Sequence, residues 1–280
     1  MENKLITFVN KSPQAVAIHD KQAWISIFAK YYIVEDPIGA SPHCGGLYDA
    51  VSGERGNASI DRFYETFIAP NKILFEVAQD IVCGQHVVRD LTVHIQMSDS
   101  LKASVPMHLL YELVEENGKE DWKIQRLAAH WELMPMMGQI FGKGLACAPV
   151  LFALTVRMFK YQKSSGILGF CKAAFTIGNH GKTSVENFVA AVNNHNLKAM
   201  EELFCNPLAE DSLYVSEKKT VLAEWLNQDI KILQFNKMLV AGNFVSVSMH
   251  LSINNTQKNG VAFFEFNNIN KKIHTLKVYL

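Results

Sequence analysis

One order of elements, helices first and then a run of strands, is written twice in this sequence, once on each side of an apolar, glycine-containing stretch. A chain that repeats such an order builds two modules of one kind, because each copy must bury the apolar face of its strands against its own helices. In the first copy a helical pattern runs from Leu5 to Ile18. A second runs from Lys21 to Ala29 with Trp24, Ile27 and Phe28 on one face, and a third from Ile60 to Ile68. Strand-like segments follow at about 74–97, 103–114 and 121–132, the last two joined by a turn at Glu116-Asn117-Gly118. The second copy has helical stretches at Val185–Val192, His195–Phe204 and Thr220–Leu226. Its strands lie near 229–240, 243–253, 260–267 and 271–280, with a last turn at Asn267-Asn268-Ile269-Asn270. Leu203-Phe204 takes the part of Ile27-Phe28 at a spacing of 176 residues. The expected architecture is α+β: two tandem cone-shaped modules, each a curved, mostly antiparallel sheet wrapped around helices. The boundaries fall at 1–133, 134–180 and 181–280.

The composition supports two cores and narrows the partners. Of the 280 residues 49% are hydrophobic and 19% charged, enough apolar surface for two ordinary domains. Lys+Arg and Asp+Glu both count 27. A balanced charge argues against nucleic acid as the main partner, since phosphate binding needs a basic surface. Five cysteines are scattered and never in CxxC spacing, which suits reduced thiols and a cytoplasmic address. The first residues lack the charged-then-apolar pattern of a secretion signal.

The middle segment, 134–180, reads as one or two amphipathic helices that break at Ser164-Ser165-Gly166. Its longest apolar run, Leu145 to Val156, is shorter than the roughly 20 residues a bilayer-crossing helix needs. Met134, Met136 and Met137 offer a soft lining for a ligand or partner, or plain core. Lys143, Arg157, Lys160 and Lys163 give the segment a basic flank, so a membrane surface is a second possible partner, after a lid or dock between the modules.

The most informative stretch is Val34-Glu35-Asp36-Pro37-Ile38-Gly39, preceded by Ile27-Phe28 and followed by Ile60-Asp61-Arg62-Phe63-Tyr64. In this arrangement the chain resembles the ketosteroid isomerases, within the nuclear-transport-factor-2-like and polyketide-cyclase-like (SnoaL-like) superfamily, whose modules are cystatin-like α+β barrels. The likeness covers residues 5–132 clearly and 183–280 weakly, with an insertion around Tyr48 to Gly56. It implies a general base at Asp36 that moves a proton beside a carbonyl, with no organic cofactor and no metal. Desolvation at the mouth of an apolar pocket disfavours the charged carboxylate and makes it a better base, and Pro37 fixes the turn that aims it. The bland alternative for Asp36 is an Asx-type turn before proline.

The resemblance puts a phenol donor near Ser12, where the first helix has no tyrosine, and a second donor at His108, after Pro106-Met107. His130 is the inward residue expected near the end of the last strand. Strand alternation then assigns Leu110 and Glu112 to the face of His108, and Ala129 and Trp131 to the face opposite His130. Asp36, His108 and His130 form the expected catalytic set, with Trp24, Phe28, Phe63, Leu110 and Trp131 as ligand-binding residues. Each histidine has the alternative of a satisfied structural role.

His43-Cys44 offers a thiol and an imidazole without metal spacing or a visible activating partner. The second copy lacks the Asp-Pro phrase; Cys205 to Ser212 occupies the place, with Asp211 nearest the base position. It reads as a degenerate, structural copy, and the two modules are expected to form a pseudo-dimer within the chain, or homodimers between chains. The functional expectation is an isomerase or lyase acting on a hydrophobic, ring-bearing small molecule. The alternative is a non-catalytic module that binds a hydrophobic ligand or a protein.

Overall fold

Among the described residues, two sheets of six strands with the same strand order organise the chain. The computed structural model describes residues 2–46, 58–116, 118 and 121–280. It divides into two units, Met1–Asp80 with Gln85–Phe175, and Ile81–Gly84 with Thr176–Leu280. The insertion around Tyr48 to Gly56 and Asn117 of the expected turn lie outside the described residues.

In the first unit the expected leading helix is two, α1 (Glu2–Val9) and α2 (Lys11–Ala17). Helix α3 (Lys21–Ser26) starts at Asp20, whose carboxylate accepts the Ala23 N–H at 2.9 Å, a satisfied N-cap. The chain then turns extended at Phe28, where the sequence pattern continues the helix to Ala29. Strand β1 (Phe28–Glu35) was not foreseen, and β2 (His43–Cys44) pairs with it. Helix α4 (Ala58–Phe63) runs on as a wider helical turn through Ile68. The segment 74–97 is in fact a hairpin of β3 (Lys72–Cys83) and β4 (His86–Gln96), followed by β5 (Lys102–Glu115) and β6 (Trp122–His130). The sheet order is β2-β1-β6-β5-β4-β3, antiparallel apart from β1 on β6. Trp24 packs on Phe28 at 5.0 Å and stacks on Phe63 at 6.1 Å between ring centroids, and this aromatic group fills the space between helices and sheet.

The apolar middle segment belongs to this first unit. It forms α5 (Leu133–Phe141), α6 (Ala148–Arg157) and α7 (Lys163–Cys171), joined by short irregular helical turns.

The second unit repeats the plan with α8 (Gly178–Asn193), α9 (Leu197–Glu202), β7 (Leu213–Val215), β8 (Lys218–Lys219), α10 (Leu222–Leu226), β9 (Ile230–Ala241), β10 (Phe244–Ile253), β11 (Thr256–Phe266) and β12 (Ile273–Tyr279). The repetition reaches small details. Asn196 caps α9 by accepting the Ala199 N–H at 3.0 Å, as Asp20 caps α3. The histidine before each cap, His19 and His195, has positive φ, 56° and 50°. Phe188 stacks on Trp225 at 5.9 Å and meets Phe264 edge-on at 5.2 Å in the second core.

Candidate active site

Strand β1 is what aims the carboxylate. It lies parallel to β6 in the register Val34↔Leu127 and Glu35↔Ala128, so the residue after Glu35 emerges level with Ala129. The turn that follows is held there: the Ile38 N–H donates to Ala129 O at 2.9 Å, the Ala40 N–H to Pro37 O at 3.0 Å, and the Asp36-Pro37 peptide is cis. Because alternate strand residues face opposite ways, Asp36 shares the face of Val34 and Tyr32, and Tyr32 points at the helices, where its hydroxyl accepts the Ile60 N–H. Trp131 lies on that side too, and its indole Nε1–H donates to Asp36 Oδ1 at 2.6 Å.

Two opposed effects act on this carboxyl. Burial disfavours its charge and the Trp131 N–H favours it; burial wins, and the pKa is pushed from 3.8 up to about 6. The residue retains partial access to solvent through a cavity of about 310 Å³ that it lines. The other walls are His43 and Cys44 of β2, Ser59 and Arg62 of α4, and Gln162 and Phe170 of the middle segment. These positions are fixed by contacts of their own. His43 Nδ1 lies 3.1 Å from Ser59 Oγ, Gln162 Nε2 donates to Thr66 Oγ1 at 3.0 Å, and Phe170 stacks on Phe67 at 5.4 Å. The Ser41 N–H donates to Gly169 O at 3.0 Å, and a Cβ at Gly169 would meet Ser41 Cβ at 2.7 Å, so this close approach requires glycine. The cavity is at the small end of ligand-binding sites, and its lining mixes polar groups with the apolar surface of Pro42, Phe67 and Phe170.

The sheet register corrects the expected histidine pair. His108 and His130 do stand directly opposite one another on β5 and β6, both fully buried. Leu127 pairs with Tyr111 and Ala129 with Leu109, so the helix-facing residues of β5 are the odd-numbered ones. His108, Leu110 and His130 therefore lie on the other face, with Arg126, which pairs at 2.7 Å with Glu35 and with Glu112. His108 Nε2 is 3.8 Å from Asp90 there. Burial, with His108 and Arg126 nearby, pushes the His130 pKa from 6.5 down to about 3, so its imidazole is neutral. Neither histidine contributes to the shift at Asp36. Of the expected ligand-binding residues, Trp131 touches Asp36, Leu110 faces away, and Trp24, Phe28 and Phe63 pack on one another behind the cavity wall.

A phenol does lie in the interior, on an expected strand but at a position the sequence does not single out. Tyr111 of β5 is fully buried on the helix-facing side and hydrogen-bonds Ser12 of α2, which also accepts the Trp24 Nε1–H at 3.1 Å. Burial above all pushes the Tyr111 pKa up; Arg89 opposes this and the charge of Asp36 adds to it. Arg89, wholly buried on β4, is held by Asp80 at 2.7 and 2.9 Å and by Asn10 Oδ1 at 2.7 Å. Tyr111 could have been found from the alternation of β5 once β1 was recognised, because β1 fixes which face meets the helices. Among the described residues no group of three His, Cys, Asp or Glu side chains is placed to hold a metal ion.

The second unit has the same frame without this chemistry. Its pairs Phe204↔Ile273 and Leu213↔Leu276 match Phe28↔Ile124 and Val34↔Leu127. Continuing that match puts Val215 in the place of Asp36, Phe264 in that of Tyr111, and Val247 in that of Arg89. The base position is thus apolar, and Asp211 is four residues away from it. All three residues belong to the buried core or its margin.

No protein-family model and no curated protein matches the sequence. Solved structures do. The Δ5-3-ketosteroid isomerase from a Mycobacterium species is 23% identical, over 48% of this chain and 95% of its own, with a TM-score of 0.38. A Mycobacterium tuberculosis protein in complex with estradiol-17beta-hemisuccinate is 21% identical, over 48% and 96%, with a TM-score of 0.37. An epoxide hydrolase from M. tuberculosis is 14% identical, over 55% and 96%, with a TM-score of 0.38. About half of the chain is thus similar to these solved structures, and its two six-stranded sheets share one strand order.

Proposed function

We propose that the first module is a small-molecule enzyme in which Asp36 takes a proton from a carbon beside a carbonyl. The single observation that carries this is the carboxylate at the wall of a cavity, pushed up to about 6 by burial and oriented by the Trp131 N–H. At neutral pH such a group is mostly ionised yet far more basic than a solvated aspartate, the range in which general-base catalysis is efficient. As Asp36 gains the proton, the C–H electron pair forms the enolate C=C bond and the carbonyl π pair moves onto the oxygen. Returning that proton to a different carbon isomerises the substrate; loss of a β-substituent from the same enolate makes the reaction a lyase. The enolate oxygen would be met by donors of the cavity wall, Arg62 and Gln162. Aromatic filling of the inner cone by Trp24, Phe28 and Phe63 limits the substrate to one or two rings at the cavity, rather than a long polycyclic body.

The same filling favours a second reading, a module that holds a ligand without turning it over. One experiment separates the two. Cyclic and bicyclic ketones are incubated with the protein in D2O, and loss of the α-proton signal is followed by NMR. The enzyme reading expects acceleration by wild type and a fall of roughly 100-fold or more in Asp36→Asn, whose amide oxygen can still accept the Trp131 N–H. Equal exchange by the variant and wild type contradicts it; ligand binding with no exchange by either supports the second reading.

A further inference from the structure

We propose that the exposed apolar face of the middle segment seats the protein on the surface of an anionic phospholipid bilayer. From Leu133 to Val185 the sequence contains no aspartate or glutamate, in a chain where acids and bases are equal at 27 each. Within that stretch Lys143, Arg157, Lys160, Lys163 and Lys172 are all basic. The apolar side chains beside them point outward. Leu145 is 92% exposed, Phe152 72%, Val156 49% and Phe159 62%; Phe152 and Val156, four residues apart, share one face of α6, and Leu145 and Phe159 lie in the helical turns that flank it. Leu168 and Phe175, further along the segment, are exposed as well. Contiguous apolar surface rimmed by one sign of charge is the signature of a membrane-surface element.

The geometry selects lying on the bilayer over crossing it. Gly144–Ala174 has the length and composition of a membrane span. Both its flanks, however, are tied to the same module. Before it, Gln139 of α5 exchanges two hydrogen bonds with the Ser104 backbone of β5, at 2.9 and 2.8 Å. After its midpoint, Gln162, Gly169 and Phe170 hold Thr66, Ser41 and Phe67. A segment that leaves and rejoins one globular body within these few residues has not traversed about 30 Å of hydrocarbon. Lys163, at φ 54°, also bends the axis there. Charge decides the occupant: a second copy would present the same basic rim and be repelled, whereas an anionic lipid surface attracts it. Docking stands whether or not Asp36 is a base, but it would bring the Gln162 and Phe170 wall of the cavity close to lipid.

The test is flotation of the full chain with vesicles of phosphatidylcholine alone and with about 30 mol% phosphatidylserine added. Expected is binding to the anionic vesicles that falls at least about tenfold in Phe152→Ser/Phe159→Ser and about fivefold for each of Lys160→Gln and Lys163→Gln. All four side chains are exposed or at the surface, and circular dichroism confirms that each variant is folded. Absence of wild-type binding to anionic vesicles, or undiminished binding by the phenylalanine variant, overturns the proposal. So does a wild-type dimer in light scattering that the phenylalanine variant dissolves while lipid binding is absent.

Discussion

Replacing Asp36 with asparagine should stabilise the first module, and only above pH 4. The folded carboxyl has its pKa raised from 3.8 to about 6, so the folded state binds its proton more tightly than the unfolded chain does. The stability this proton confers is fully present below about pH 4 and is lost as pH rises through 6. Above pH 6 the buried charge therefore destabilises the fold. A shift of about two units corresponds to roughly 3 kcal/mol. The asparagine carries no charge, and its amide oxygen keeps the 2.6 Å contact with the Trp131 N–H. The variant should thus gain up to about 3 kcal/mol at pH 8, equal to roughly 6–12 °C in the melting temperature of a module this size, and close to nothing at pH 4. The assay is thermal unfolding by circular dichroism of both proteins from pH 4 to 8. His130, held neutral with its pKa near 3, destabilises the fold as pH falls below 6.5. It does so in both proteins and cancels from the difference. A gain that does not vary with pH, or a variant less stable than wild type at pH 8, would refute the claim that burial dominates at Asp36.

Three other outcomes follow from the same geometry. Trp131→Phe removes the one N–H that favours the ionised carboxylate, so the acidic limb of the pH–rate profile should move upward by about one unit. His130→Leu alters the face of the sheet away from the cavity, so kcat should be unchanged in the folded fraction, and a loss of more than about tenfold would place the histidine back in the mechanism. Arg89→Met leaves Asp80 without its buried partner and Asn10 without its donor, and urea unfolding should show a loss of about 3–5 kcal/mol.

How far the sequence reached can be judged element by element. The helix-then-strand order and its repetition were readable because apolar spacing reports burial against a neighbour, whichever neighbour that is. The Val34-to-Gly39 phrase located Asp36 because a short turn before proline is a local structure. Strand β1 escaped because Tyr31 and Ile33 are apolar yet exposed, which blurs the alternation that marks a half-buried strand. Losing β1 had a larger consequence than one strand. In β5 the run from Met107 to Tyr111 is buried on both faces, so alternation alone cannot say which side meets the helices. The resemblance places the histidines in the pocket, and alternation in so uniformly buried a run neither opposes that nor points to Tyr111 on the inner face. His43, Cys44, Arg62 and Gln162 come together only through tertiary packing of β2, α4 and the middle segment, and no spacing in the chain announces that.

The polar interior also separates the two modules. Where Asp36, Arg89 and Tyr111 occupy the first interior, Val215, Val247 and Phe264 occupy the second, and an apolar interior is the cheaper one to build, since no charge has to be desolvated. The first module keeps a destabilising group that its twin lacks, the pattern expected where chemistry rather than stability holds the residue in place.

The carboxyl carbon of Asp36 can be titrated directly by 13C NMR in protein labelled at aspartate, with Asp36→Asn identifying its resonance. A midpoint near 6 for that resonance is the predicted result. A midpoint at the ordinary value near 4 would mean that water reaches the carboxylate freely, and Asp36 would then be a turn residue and not a base.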